Sequence, residues 1–430
     1  MENGTIEIRD IIKNFSILPL KGDELDEKNG FYVDTIEART GNIIVSPIAD
    51  IFEDCTTGSP NFIHLLFGHR GCGKSTEINK LEIKLKDAGF ATKKIDCQTE
   101  TNFANLEVED ILILISNALF EICAEKGIDI NPSDKKRLED FFTPKEIVTS
   151  ETDIRTVSGG GGGGINVDFY LLKLSGEAKA QIMGSSEKIE TIRKEIRNNF
   201  IEWNDCIDRI IEKIKEKDEQ KYPIIIFENF DKILPTERAV SIFEKGYLEK
   251  IKTYVIYTFP ISLSYSEKFG TIKQYVSSHI FPMIDVKTRE GKKSEIGYKK
   301  IKEIIKKRAR LDFFEEESLN LLIEKTGGCL RDIFRVIVQA LRYTERLNKD
   351  KVGTEEVKLA LKKESEITRR ITTKDYPALN EIHRKKTEIE DKNEMLRFLE
   401  AHVVLEYNGE RWHDLHPLVY DFLKENNEID

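Results

Sequence analysis

Residues Gly68–Thr76 read GHRGCGKST, which sets two glycines, a lysine and hydroxyl residues at the spacing GxxxxGK[ST]. This combination does phosphate chemistry. Glycines let consecutive backbone N–H groups close around phosphate oxygens, and the positive end of a following helix faces the same anion. Lys74 is expected to reach the β- and γ-phosphates of ATP and Ser75 to ligand Mg²⁺. Gly68, His69, Arg70, Gly71, Cys72, Gly73, Lys74, Ser75 and Thr76 together would cradle the nucleotide, with Cys72 a small filler whose backbone alone approaches the phosphate. The Mg²⁺ shell also needs an acid at a neighbouring strand tip, and IIIFENFDK (224–232) supplies Glu228. Asn229 follows it, and an amide cannot accept a proton. Either Asp231 polarises the attacking water or hydrolysis is slow; a helix N-cap or a salt bridge to Lys232 or Arg238 is the equal alternative for Asp231. Thr258 ends another apolar run, where its hydroxyl could meet the γ-phosphate or the water, or simply serve the strand. Arg331, in GGCLRDIFRVI, opens a helix and can present a guanidinium to the γ-phosphate. Arg335, one turn later, reads as packing or a salt bridge.

Several elements must hold these groups in place. Phe62–Phe67 is an apolar run suited to a buried strand, and Ile78, Leu81, Ile83 and Leu85 mark the helix after the loop. Further strands are expected at Phe90–Asp96, Ile224–Phe227, Tyr254–Phe259 and His279–Val286, with a buried helix over Asp110–Cys123. Strands alternating with helices predict an α/β fold, a P-loop NTPase parallel sheet covered on both faces. The expected core is 61–286, preceded by a leading segment, 1–60. It contains an insertion at about 143–186 that includes six consecutive glycines, Gly159–Gly164, then an alternating stretch, Ile165–Leu171. That insertion is a flexible linker or an arm touching a partner. A helix of roughly thirty residues, Glu187–Lys217, returns to the third strand. Residues 287–370 carry amphipathic segments at Ile301–Ala309, Glu316–Thr326 and Arg331–Arg346 and predict a helical lid domain. From 371 to 430, two short helical patterns precede HVVLEY, Asn408-Gly409 and RWHDL, a hairpin signal that suggests a C-terminal winged-helix domain.

The formal net charge of −10 gives no general pull toward nucleic acid or an anionic membrane. No leader-like N-terminus and no apolar run of membrane-spanning length is present, so a cytoplasmic protein without membrane attachment is expected. The six cysteines lie scattered, without CxxC or a Cys/His cluster, which predicts reduced thiols and no structural zinc.

Together, GHRGCGKST, IIIFENFDK, YVIYTFP and TGGCLRDIFRVI resemble the AAA+ and STAND branch of P-loop ATPases. The likeness is specifically to the branch with helical lid and winged helix shared with origin-recognition-type initiators, over about Phe31–Asn426. FYVDT and Arg39 look like its adenine-side segment, and WHDLHPLV like the end of its winged helix. Glu228 stands where the family usually has aspartate and Asn229 where it has glutamate, which touches turnover more than binding. Ring-forming relatives commonly place an arginine finger in the segment equivalent to Ile261–Ser278; none is there, which leaves Arg238 or Arg289, or no finger. The resemblance further implies that bacterial proteins of this organisation are often switches in antiviral defence or mobile elements.

Three functions are consistent with the sequence. The first is an ATP-binding, ATP-hydrolysing switch that controls a protein partner or its own assembly into a homo-oligomer. The second is a DNA-bound loader or initiator, and the third a structural ATP-bound subunit with little turnover. Residues 374–430 hold eight Lys or Arg against fourteen Asp or Glu, so DNA contact through the winged helix is not favoured. Basic residues gather instead at Lys287–Arg310, as a solvated face or a docking surface.

Overall fold

The computed structural model describes residues 8–142, 187–233, 237–407 and 412–429, with isolated positions between 173 and 180. The glycine run, the alternating stretch 165–171 and Asn408-Gly409 lie outside the described residues.

In chain order the main elements begin with α1 (Ile8–Asn14), α2 (Pro47–Thr57), β1 (Ile63–Gly68), α3 (Lys74–Asp87), β2 (Thr92–Asp96), α4 (Val108–Lys126) and α5 (Pro132–Phe142). There follow α6 (Glu187–Asn198), α7 (Phe200–Lys217), β3 (Ile224–Glu228), α8 (Glu237–Glu244), β4 (Tyr254–Pro260) and β5 (Val276–Ile280). The strands form one parallel sheet in the order β2-β3-β4-β1-β5. β1, β3 and β4 are buried along their whole length, as expected of central strands roofed on both faces, and they are the near-continuous apolar runs of the sequence. One face packs α4, α6 and α7 through Ile111, Ile115, Ile192, Trp203 and Ile207; the other packs α2 and α3 through Ile51, Ile78 and Leu81. The order brings the carboxyl ends of β1, β3 and β4 together, where open α/β sheets bind ligands.

Two expected elements are corrected. The fifth strand is Val276–Ile280, upstream of the predicted His279–Val286. Phe281 N–H still bonds Phe67 O of β1 at 2.8 Å, but Pro282 has no N–H to continue the ladder, and Met283 bridges to Tyr407 instead. The predicted thirty-residue helix is two, because Asn199 adopts non-helical angles (φ −123°, ψ 33°) between α6 and α7.

Beyond the sheet, α9 (Glu295–Lys306), α10 (Glu316–Lys325), α11 (Leu330–Arg346) and α12 (Thr354–Glu364) bury one another's apolar faces through Ile301, Ile305, Leu322, Ile333, Ile337, Ala340 and Val357. α1 joins this bundle rather than the sheet: Ile11 and Phe15 lie in its core, and Phe15 meets Phe334 edge to face at 5.6 Å. The C-terminal unit comprises α13 (Tyr376–Lys385), α14 (Lys392–Glu400), the antiparallel pair β6 (Val404–Tyr407) and β7 (Trp412–Leu415), and α15 (Pro417–Glu425). Its own core is built from Leu379, Ile382, Met395, Phe398, Val404 and Val419. The other side of the hairpin packs on the main sheet: Leu405, Tyr407 and Trp412 share a cluster with Phe281 and Met283. No helix among the described residues is long and apolar enough to cross a membrane.

Candidate functional site

The phosphate loop leaves β1 at Gly68 and enters α3 at Lys74, strand to helix as its chemistry requires. Gly71 (φ +88°) and Gly73 (φ +110°) are in left-handed conformations that L side chains resist. Gly71 also has no room for a side chain, since a Cβ there would lie 2.7 Å from Arg331 Cβ and 3.2 Å from Cys329 Sγ. The lid helix α11 thus starts directly on the loop, with Arg331 N–H donating to Gly71 O at 3.3 Å. Gly71→Ala is expected to cost on the order of 1–3 kcal/mol in strain and contact and to weaken ATP binding with it. Chemical denaturation beside a nucleotide titration checks this; unchanged values for both would show that loop and lid relax freely.

Lys74 is buried, and its ammonium donates to Gly68 O at 2.7 Å and His69 O at 3.0 Å while pairing with Asp231 Oδ2 at 3.1 Å. Asp231 reaches it through the turn after β3. Asn229 takes a left-handed conformation (φ +61°) that asparagine tolerates, and its amide donates to Asp96 Oδ1 at 2.7 Å. Phe230 then plugs the core against Tyr257 and Phe259, at 5.1 and 5.5 Å between ring centroids. That anchor turns Asp231 back toward the loop, where Arg70 donates to its carbonyl at 2.9 Å. Neither alternative partner holds its side chain: Lys232 bonds Gln98 at 2.8 Å, and Arg238 donates to Ala104 O.

Burial opposes the charged form of Asp231, but the Lys74 ammonium, with Arg70 and Lys232, outweighs it and holds the carboxyl below its ordinary range. A carboxyl whose pKa is lowered by folding contributes stability that is present above its unfolded pKa of about 3.9 and lost as pH falls through the folded value. In Lys74→Met the main charge lowering this carboxyl is gone, so the variant should be less stable than the native chain at neutral pH, with the difference narrowing as pH falls and Asp231 protonates. Circular dichroism against pH checks this, and coincident curves would deny the pair its role.

Glu228, at the tip of β3, is buried beside the Ser75 hydroxyl. Burial pushes its carboxyl up, moderated by Lys94 at 3.7 Å and by Ser75. Its Oε1 is buried with no hydrogen-bond partner. A hydroxyl and an unsatisfied carboxylate oxygen, both hard donors, fit Mg²⁺.

Loop, lid and N-terminal segment enclose a cavity of about 370 Å³. Gly71, Gly73, Lys74, Ser75, Thr76, Arg70, Asn229 and Asp231 line it, together with Arg331 and Arg335. Apolar side chains, Leu18, Phe31, Val33, Ile304, Leu330 and Phe334, complete its wall. The segment 16–20 is tied over α3, since Leu20 N donates to Thr76 Oγ1 at 3.2 Å and Asn79 donates to Leu20 O at 2.7 Å. Arg39, expected on the adenine side, lines the cavity as well, buried under the loop, and donates to Cys72 O at 2.7 Å and to Thr35 Oγ1 at 2.8 Å. Arg335 meets Asp332 and Glu364 at 3.8 and 3.9 Å, a loose ion pair of the kind expected.

Thr258 is placed elsewhere. It is buried in the sheet opposite Leu66, its hydroxyl donates to Phe227 O at 3.4 Å, and it is absent from the cavity wall. Arg238 and Arg289 do not line it either. His69 points the other way altogether: its Nε2 accepts the Glu406 N–H at 2.8 Å, joining the loop to β6.

The sequence reading missed Arg308 and the pair Tyr32–Glu77. Arg308 sits between the Phe31 and Phe334 rings, 5.0 and 4.8 Å from their centroids, and donates to Phe31 O at 3.1 Å. Burial pulls its pKa down to about 10, so it remains charged at neutral pH. Tyr32 donates to the buried Glu77 at 3.2 Å beside it. The other residues of the Lys287–Arg310 run are in part engaged: Lys302 pairs with Glu316 at 3.2 Å and Lys307 donates to Glu27 O at 2.7 Å.

No family model and no curated protein matches the sequence. Solved structures do. The chain is similar to the Walker-type ATPase paby2304 of Pyrococcus abyssi (TM-score 0.43, 12% identity, 92% of this chain and 99% of that one). It is similar to the Aeropyrum pernix ORC1 protein, solved in complex with DNA (0.38, 12%, 94% and 96%). It is also similar to RuvB, the Holliday junction branch migration motor of Thermotoga maritima (0.35, 10%, 91% and 99%).

Proposed function

We propose that the protein is an ATP-driven switch, in which nucleotide bound between sheet and lid sets the position of the C-terminal unit. The observation that carries this reading is the buried Lys74–Asp231 pair, 3.1 Å apart on the floor of a cavity whose roof, Arg331, is hydrogen-bonded to the loop. The loop residues suit a triphosphate, and the apolar side chains of the wall, with Arg308 over two rings, suit a purine. Lys74 moves from loop carbonyls and Asp231 onto the β- and γ-phosphates. Asp231, freed, orients and deprotonates the attacking water, while Arg331 meets charge developing on the γ-phosphate. Ser75 and Glu228 would hold Mg²⁺, which when bound neutralises phosphate charge. Thr258 has no part in this scheme.

The proposed units are a core at 61–286, a lid at 287–370 and a winged helix at 371–430, whose hairpin grips the loop through His69. A protein partner or a second copy would read the movement. Direct DNA contact is less favoured, because the C-terminal unit is acidic and Arg308, within the basic run, faces the cavity. The test is ATP hydrolysis with and without DNA, together with oligomeric state and hydrogen exchange of 404–407 under ATP and ADP. Turnover with nucleotide-dependent exchange or assembly is expected. Identical behaviour in both nucleotides would sink the switch, and DNA-stimulated turnover would replace it with a DNA-linked motor.

A further inference from the structure

Away from the nucleotide cavity, three potential ligand atoms converge between β1, β5 and α2. His64 and His279 lie on the same face of adjacent strands, His64 opposite Ser277 and His279 opposite Leu66. Their rings stack at 5.5 Å, and His64 Nδ1 stands 3.2 Å from His279 Nε2. Asp54, on α2 above them, brings Oδ2 to 3.7 Å from the same Nδ1, and one ligand atom from each residue lies within 4.8 Å of the others.

We propose that Asp54, His64 and His279 form a site for a divalent transition metal, of which Zn²⁺ is the best fit. Two imidazole nitrogens on one tetrahedral zinc, each at about 2.05 Å, stand about 3.3 Å apart, close to the separation seen here. The carboxylate is slightly farther, and Asp54 is half-exposed on a helix where its side chain can turn inward. A hydrogen bond between the rings explains one contact but leaves the carboxylate beyond hydrogen-bonding length. Two imidazoles and one carboxylate are the donor set of a three-ligand zinc site with an open position. Such an ion would pin the edge strand β5 and α2 to the centre of the sheet. Sequence spacing conceals the set, because its members come from positions 54, 64 and 279.

The test uses the full chain, stripped with chelator and free of nucleotide, titrated with ZnCl₂ by calorimetry and with Co²⁺ for its tetrahedral absorption bands. One equivalent should bind and raise the thermal midpoint. His279→Gln and Asp54→Asn avoid the most buried position and should each weaken binding by more than the ~10–100-fold that loss of an outer-shell partner brings. Both should retain ATP binding, which separates this site from the nucleotide site. Absence of a Zn²⁺-dependent rise in the native chain, or undiminished binding in both variants, overturns the proposal. Loss in His279→Gln alone removes Asp54 as a ligand and with it the three-ligand assignment.

Discussion

Lys74→Ala is expected to weaken ATP binding by on the order of 2–5 kcal/mol, roughly thirty- to several-thousand-fold, and to abolish turnover. Two effects add. The phosphates lose a buried ammonium that lines the cavity, held there by two loop carbonyls and a carboxylate. The Asp231 carboxylate, 7% exposed, is meanwhile left with only Arg70 and Lys232 nearby, an uncompensated burial that loosens the loop itself. A titration with a fluorescent ATP analogue and a thermal melt separate the two. Native-like ATP affinity in the alanine variant would remove this loop from the nucleotide site.

Asp231→Asn asks what the carboxylate does. The amide keeps shape and can still hydrogen-bond, but it cannot accept a proton from water. If Asp231 is the base, turnover should fall about 10²–10⁴-fold. ATP affinity should hold or rise, because Lys74 need no longer leave a carboxylate to meet phosphate. Single-turnover kinetics beside equilibrium binding reads both. A variant that keeps turnover but melts earlier would make Asp231 an anchor for Lys74, and hydrolysis would then depend on a group supplied by a partner.

The parts of the site that are contiguous in sequence were legible: the loop at 68–76, the tip of β3 at 224–232 and the start of α11 at 327–337. In each, a local pattern carries its own physical reason. Arg308 shows the limit. It stands in a lysine-rich run that reads as a solvated face, and it is buried only because Phe31 and Phe334, from distant segments, close on it. Thr258 shows a related limit: a strand-end threonine looks available in the sequence, and the neighbouring strand offers its hydroxyl a carbonyl. For β5, HIFPMIDV is more apolar than VSSHI, so composition pointed downstream, whereas backbone pairing with β1 and the missing N–H of Pro282 decide the register. The break at Asn199 left no mark in an apolar periodicity that continues through it.

His69 gives the loop a second allegiance. Its ring is buried and kept neutral, well below its ordinary pKa, by that burial, and it accepts the Glu406 amide proton. A nucleotide that reshapes the loop must therefore either preserve this bond or leave a buried amide without an acceptor, on the order of 1–3 kcal/mol. Thermodynamic reciprocity then runs in both directions: whatever molecule favours one placement of the hairpin must alter ATP affinity by the same factor that ATP alters its own. An unknown partner can accordingly be sought without a functional assay, as any molecule that changes how tightly this chain holds ATP while binding nowhere near it.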